Sequence, residues 1–448
     1  MSRLAALISN VDLQKIVESP VSEGLVPGLG VVLLDGTYRL EAYAGHSSVA
    51  RNVPMSALSG FEVSCLMKFY GSLVALHLVD KGQLHLNSPI GHYLPELERA
   101  SPERASAIKV KHLLSHTSGY RGLDVTDARV KWAIDWTKFV EFFHETPQNF
   151  SPGSVFNYEH SEHVILDRIL IAVTGMSLVQ LVGEIIFAPL SISAKSRASN
   201  LCEFIDNYRL IQRGQFKSIG IPPMVSFWDP SIPSFGITLP QIARTGQAIL
   251  DGELSIIAST EKALKAPIIE LPKLSCTAEV ERFPLSYGLT CGQFSKGIVG
   301  HNASTVGQTC ALRMLTSCGV VLAVGINCWA PHVRDSVVKQ VLEVMGLTDT
   351  GPVGETQNSI FGEFIPADIY GTYIGSYLGA ISISEEGKTI KGAKYGSPAN
   401  TLFSIDLAER EKVVRAPNPT GVCFFPSPDD GGPCFALGAY TYRKYTQS

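Results

Sequence analysis

The sequence is poor in the features that mark several large protein classes. It has no apolar run approaching the roughly 18 residues of a membrane-spanning helix, because its hydrophobic stretches are short and broken by Gly, Pro or charge. No block of one charge sign stands out. The 37 Lys and Arg oppose 41 Asp and Glu, a net −4 over 448 residues, which leaves nucleic acid no basic footprint. The nine cysteines (65, 202, 276, 291, 310, 318, 328, 423 and 434) contain no Cys-x-x-Cys pair, and residues 1–14 lack the basic-then-apolar pattern of a secretory leader. A reducing, cytoplasmic location is therefore expected, with no membrane and no nucleic-acid partner. Also absent are a Gly-x-Gly-x-x-Gly loop leading a strand into a helix and a His-Glu-x-x-His helix, so no cofactor and no metal are expected. His112 and His116 are four apart but lack a third ligand at metal spacing, and His160 and His163 are three apart without the zincin frame.

What is present is length and an ordinary apolar content of 45%, enough to bury a large core without disulfide staples. At about 150 residues per domain the chain allows two or three domains. Residues 12–22 read as a first helix, and Pro27 to Leu34 with Tyr38 to Ala44 read as a hairpin turning at Asp35 and Gly36. Cys65 to Lys81 carries Leu66, Phe69, Leu73, Leu76 and Val79 at helical spacing and stops at Gly82. Residues 95–265 read as mainly helical. Strands are expected over Tyr287 to Gly292, Arg313 to Leu315 and Gly319 to Asn327, and a closing helix over Val333 to Met345. Residues 346–359 suit a linker. The short alternating runs from Ile365 onward, YGTYIGSY to CFALGAYTYR, have the spacing of a small all-β barrel.

The sharpest local chemistry lies at Phe61 to Lys68 (FEVSCLMK), where a helix is expected to begin. Residues three apart on a helix share a face, so the Cys65 thiol and the Lys68 ammonium can approach one another. A helix N-terminus adds its own stabilisation of negative charge, and both effects favour the thiolate. Taken alone, the same pair also describes a buried thiol beside a solvated lysine.

In this context the chain resembles the serine beta-lactamase and penicillin-binding-protein superfamily, in its class-C-like esterase and transesterase branch. The family's Ser-x-x-Lys motif falls on Cys65 to Lys68, with cysteine in the serine's place. Ser64 would need lysine at 67, where Met67 stands. Leu113 to Gly119 (LLSHTSG), Pro152-Gly153 through Phe156 and Tyr158, and Val173-Thr174-Gly175 follow in family order. So do Thr238, Ala243 and Ala248 to Leu250, then Tyr287-Gly288-Leu289 and Gly300 to Ala303 with Gly307. The resemblance covers about residues 12–345. It implies an α+β fold, an antiparallel sheet with helices on both sides and a helical subdomain over about 95–265, forming a catalytic domain of residues 1–345. The segment 360–448 resembles the lipocalin-like β-barrel appended to some relatives.

The resemblance also assigns roles. The family's Tyr-x-Asn becomes Tyr158-Glu159-His160, which keeps the tyrosine as general base or acid and puts an imidazole where asparagine is usual. His160 could form a thiolate–imidazolium pair with the cysteine. As a surface residue it would instead belong to an exposed helix start with Glu159, Glu162 and His163. The Lys/His-Thr/Ser-Gly triplet becomes His301-Asn302-Ala303, which keeps only the histidine. Oxyanion donors are implied at the backbone of Cys65 and of Ala303 or Ser304. The methyl of Ala303 and the loss of asparagine at 160 argue against efficient beta-lactam hydrolysis. Trp136, Phe142 and the loop from Ile219 to Pro233 are expected to shape selectivity.

The expected protein is thus an acyl enzyme with Cys65 as nucleophile and Lys68, Tyr158, His160 and His301 around it. Its substrate would be a small-molecule ester or thioester, including carrier-protein- or CoA-bound acyl groups. Because thiolates exchange readily with thioesters, acyl transfer or cyclisation in small-molecule (secondary metabolite) biosynthesis is favoured. The alternatives are a class-C-like ester or amide hydrolase, and a catalytically silent binding protein suggested by the departures at 65, 160, 302 and 303.

Overall fold

A computed structural model describes residue 4, residues 7–120, 135–193, 195–196, 203–219, 235–254, 268–271, 284–305 and 307–347, with eight strands and Asp429 in the C-terminal segment. The linker expected at 346–359 lies outside the described residues from 348 on, as does the Ile219 to Pro233 loop from 220 on. The chain divides into two compact units. One is Met1–Lys81 with Leu178–Lys265 and Thr290–Thr350, and the other is Gly82–Ser177 with Ala266–Leu289 and Gly351–Ser448.

The first unit is built on strands β1 (Gly28–Asp35), β2 (Tyr38–Ser48), β3 (Val53–Pro54), β5 (Gly292–Ser295), β6 (Ile298–Ser304), β7 (Thr309–Leu315) and β8 (Val320–Ile326), while β4 (Ser59–Glu62) belongs to a separate small sheet. The larger set runs in the order β5-β6-β7-β8-β1-β2-β3, with antiparallel neighbours. Every residue of β7 (TCALRML) and β8 (VVLAVGI) is buried. Strands buried on both sides in this way need cover on both faces.

Helices α1 (Asn10–Ser22), α2 (Leu66–Asp80), α4 (Leu239–Leu250) and α5 (Pro331–Val344) belong to this unit, with α3 (Ser161–Thr174) in the other. On one face, Leu13, Ile16 and Val17 of α1 and Val333, Val337, Val338, Val341 and Leu342 of α5 pack on Leu29, Val31, Leu33, Leu322, Val324 and Ile326. Each such aliphatic side chain, fully buried, contributes about 1.5–3 kcal/mol. On the opposite face, Leu239 and Gly246 of α4 sit close over Gly30 and Gly325 and over Leu312, Met314 and Val321. A capping box between Thr238 and Gln241 starts α4.

The helix expected at 65–81 is α2, with Cys65 as its N-cap. It is buried almost all round. Its Tyr70 hydroxyl meets Thr245 Oγ1 of α4 at 3.2 Å, and its ring meets Phe187 edge-on at 5.4 Å. That explains why the sequence shows apolar residues beyond a single stripe.

The second unit holds the short helices Pro95–Ala100, Pro102–Ala107 and Val110–Leu114, then Trp136–Glu145 and α3. Asp135 caps Trp136–Glu145 by accepting from the backbone of Thr137 and Lys138, and Gly175 ends α3 at φ 75°. Residues 195–238, expected to be helical, contain short strands instead, including Tyr208–Gln212 paired with Gln215–Ser218 in the first unit.

The C-terminal segment corrects one expectation. Its strands β9 (Gly371–Gly375), β10 (Ala380–Ser384), β11 (Thr389–Ala393), β12 (Asn400–Asp406), β13 (Lys412–Arg415), β14 (Val422–Pro426), β15 (Pro433–Leu437) and β16 (Tyr440–Lys444) form one sheet in the order β13-β12-β11-β10-β9-β16-β15-β14. Its terminal strands, β13 and β14, do not pair with each other among the described residues, so this is an open sheet and not a lipocalin-like barrel. Alternating short runs specify antiparallel pairing. Closure also needs matched tilt and stagger, which no local pattern encodes. Among the described residues, no single helix is long and apolar enough to cross a membrane.

Candidate active site

In the first unit the chain leaves β4 at Glu62, whose backbone N–H donates to Gln308 Oε1 at 3.3 Å. It then turns sharply. The N–H groups of Leu66, Met67 and Lys68 reach back three residues each, to the carbonyls of Val63, Ser64 and Cys65 at 2.9–3.0 Å. Ser64 takes φ 46°, a left-handed conformation that costs a residue with a side chain about 1–3 kcal/mol. Cys65 follows at the mouth of α2. It is half-buried, whereas Lys68, one turn on, is 2% exposed.

His301 comes to the same place from β6, where it stands opposite Leu312 of β7. It is buried, and its imidazole is hydrogen-bonded to the Cys65 backbone. Burial first, then the Lys68 ammonium and the Arg313 guanidinium, push its pKa down to about 3; the bond to Cys65 opposes this and Arg334 adds to it. The ring is therefore neutral at neutral pH. Gly300 beside it is required by crowding, since a Cβ there would lie 1.9 Å from the Leu312 carbonyl oxygen.

The C-terminal end of β6 is tied to β7 and α5. Ser304 Oγ and Thr309 Oγ1 are 2.9 Å apart, and the fully buried Arg334 donates to Thr309 Oγ1 at 3.0 Å while gripping Asp335 through two bonds of 2.9 Å. Arg313, also buried, donates to Asn302 Oδ1 at 2.8 Å and lies over the Phe294 ring. Asn302 is thus held by Arg313, and the Ala303 carbonyl accepts from Thr309 Oγ1 at 3.3 Å.

Cys65 differs from the three buried thiols among the described residues. Burial pushes Cys291 and Cys328 up to about 11 and Cys310 up to about 12. Those three are buried, as their apolar neighbours imply, while Cys65 and Cys318 are half-buried.

Tyr158 and His160 come together in the second unit. Both are half-buried, and their rings meet edge-on at 5.5 Å. His160 is the N-cap of α3 and makes no side-chain capping bond. The alternative of an exposed helix start does not hold for their neighbours: Glu159, Glu162 and His163 are each 1% exposed. The LLSHTSG segment covers them. His116 Nδ1–H donates to Glu162 Oε2 at 2.6 Å, and the Ser118 N–H donates to Glu162 Oε1 at 3.0 Å. The His116 carbonyl accepts from Asn157 N–H at 2.8 Å, and its ring lies 4.5 Å from that of Tyr158. His116 thus links the buried Glu162 to the ring of Tyr158. Glu162, three residues before Ile165 on an apolar helix face, carried no sign of this role, because its partner is 46 residues away.

Of the five predicted residues, the structure assembles Cys65, Lys68 and His301 in one unit and Tyr158 with His160 in the other. Trp136 stacks on Phe139 and donates from Nε1 to Glu96 Oε1 at 2.7 Å, with Arg168 over its ring, which makes it a packing residue of the second unit. The Tyr120 ring meets that of Phe142 at 6.4 Å in the same region.

Comparison with known proteins agrees with this architecture. The chain is 26% identical over 318 residues to penicillin-binding protein 4 of Amycolatopsis lactamdurans, covering 68% of this chain and 82% of that one. It is 25% identical over 181 residues to esterase EstB of Burkholderia gladioli, covering 38% and 46%. The crystal structure of SurE superposes with a TM-score of 0.73 at 16% identity, covering 97% of this chain and 99% of that chain, a likeness of fold. Residues 13–194 match the family model described as Beta-lactamase, and together these findings support a domain of the beta-lactamase and penicillin-binding-protein-like superfamily in this chain.

Proposed function

We propose that this protein is an ester or amide hydrolase that works through an acyl intermediate on Cys65, with residues 1–345 as its catalytic part. The observation that carries the reading is the half-buried Cys65 at the start of α2, joined by the Lys68 turn and by the neutral His301. The curated relatives, which include an esterase and a penicillin-binding protein, favour hydrolysis over transfer. In the proposed reaction the Cys65 sulfur bonds to the carbonyl carbon, and the carbon–oxygen or carbon–nitrogen bond to the leaving group breaks. The proton released from the thiol returns to the leaving group. As an ammonium, Lys68 is assigned the donation to the leaving group on its place in the turn, and Tyr158 and His160 the uptake of the thiol proton on motif order alone. A neutral His301 beside an ammonium acts as a hydrogen-bonding, uncharged wall.

Cysteine itself favours a second reading. A thioester intermediate passes readily to an amine or another thiol, so the acceptor can be a nucleophile other than water and the donor a carrier-protein- or CoA-bound thioester. Intact-mass measurement after exposure to a panel of short-chain esters, amides and acyl thioesters tests both. An acyl adduct in the parent protein that is absent from Cys65→Ala supports the intermediate. Its decay in water alone favours hydrolysis, and decay only on adding an amine favours transfer. No adduct across the panel would count heavily against the acyl intermediate.

A further inference from the structure

Ser64 holds its hydroxyl between two acceptors: Oγ lies 3.1 Å from the Ser304 carbonyl oxygen on β6 and 3.8 Å from Cys65 Sγ. A hydroxyl carries one proton and rotates freely about its C–O bond, so it can serve one acceptor at a time. With Cys65 as a thiol, donation to the carbonyl oxygen at 3.1 Å is the better bond. With Cys65 as a thiolate, the full negative charge on sulfur is the stronger acceptor. The left-handed backbone at Ser64, φ 46°, brings the side chain to this position, and such a conformation persists in a residue with a side chain only where its surroundings impose it.

We propose that Ser64 is a positioning residue whose hydroxyl turns from the Ser304 carbonyl to the Cys65 sulfur when the thiol ionises, so that the thiolate is stabilised without any ion moving. The proposal rests on Cys65 being the working nucleophile. In the step itself, the sulfur–hydrogen bond breaks and that proton leaves to solvent or base. Ser64 keeps its own proton and changes only its acceptor. The titratable and charged groups that flank the turn are Glu62 on β4, Lys68 on α2 and His301 on β6, with Arg313 and Arg334 behind β6. None of these is altered by removing a hydroxyl at 64.

The test is the rate of Cys65 alkylation by iodoacetamide from pH 5 to 10 in the full chain, read by peptide mass, for the parent, Ser64→Ala and Ser64→Gly. Alanine removes the hydroxyl and keeps the backbone strain, while glycine removes both. Both variants are expected to move the profile to higher pH and to slow alkylation at pH 7 about three- to ten-fold, with the high-pH plateau unchanged. Profiles that coincide with the parent's in both variants would overturn the proposal. A shift in glycine but not alanine would also overturn it, assigning the effect to strain. Alkylation requires no acyl substrate, so this outcome is independent of whether an acyl adduct forms on Cys65.

Discussion

His301 and His116 are both buried, at 4% and 1% exposure, yet they sit in opposite surroundings. His301 stands in the first unit among cations, with Lys68, Arg313 and Arg334 all opposing its protonation. His116 stands in the second unit on a buried carboxylate, 2.6 Å from Glu162. The first is a neutral ring bonded to the Cys65 backbone, and the second is a ring paired with a carboxylate, 4.5 Å from the ring of Tyr158. What a buried histidine does is set by the charge of its partners, and those partners come from distant parts of the chain.

The comparison breaks most visibly at Glu162. Glu162→Ala strips the buried acceptor from both His116 and the Ser118 N–H, and is expected to destabilise the protein by about 3–5 kcal/mol in urea unfolding. Glu162→Gln keeps an acceptor and should cost less than half as much. A next smaller effect is expected on the His301 side, under acid. His301 at about 3 and His112 at about 4 stay neutral when folded, while their unfolded counterparts bind protons below about 6.5. Stability is therefore fully present above pH 6.5 and falls on acidification, by about 1.4 kcal/mol per pH unit for each histidine until its folded value is reached. Unfolding curves at pH 7, 6 and 5 check the sign, and His301→Gln should flatten the slope. The smallest effect concerns Lys68. Lys68→Met should raise the His301 titration seen by NMR from about 3 while leaving it below 6.5, because burial outweighs the ammonium among its causes. A value above 6.5 would mean that charge, not burial, sets the ring's state.

Local rules made part of this legible. A Cys and a Lys three apart before an apolar run place both at a helix start, as α2 does with Cys65 and Lys68. The alternating and apolar runs marked β8 and the last three residues of β7 as strands, and Asp35 with Gly36 announced the β1–β2 hairpin. The buried charges were not legible. Glu159, Glu162 and His163 form a polar run that reads as solvent-facing, because the segment that covers them is elsewhere in the chain. Arg334 looks like an ordinary residue of an amphipathic helix until Thr309, 25 residues earlier, is seen to accept from it. The open edge of the C-terminal sheet was hidden for the same reason. Its short strands were readable one by one, and their closure was not.

The sequence by itself determined the β1–β2 hairpin, helices α1, α2 and α5, and the order of the motifs shared with one superfamily, because periodicity and turn residues are local features. Only the tertiary structure decided that the first unit is assembled from three separated segments, that His301 is neutral and His116 paired, and that the C-terminal sheet stays open. These depend on which distant groups share a low-dielectric interior, where one nearby charge outweighs any local preference.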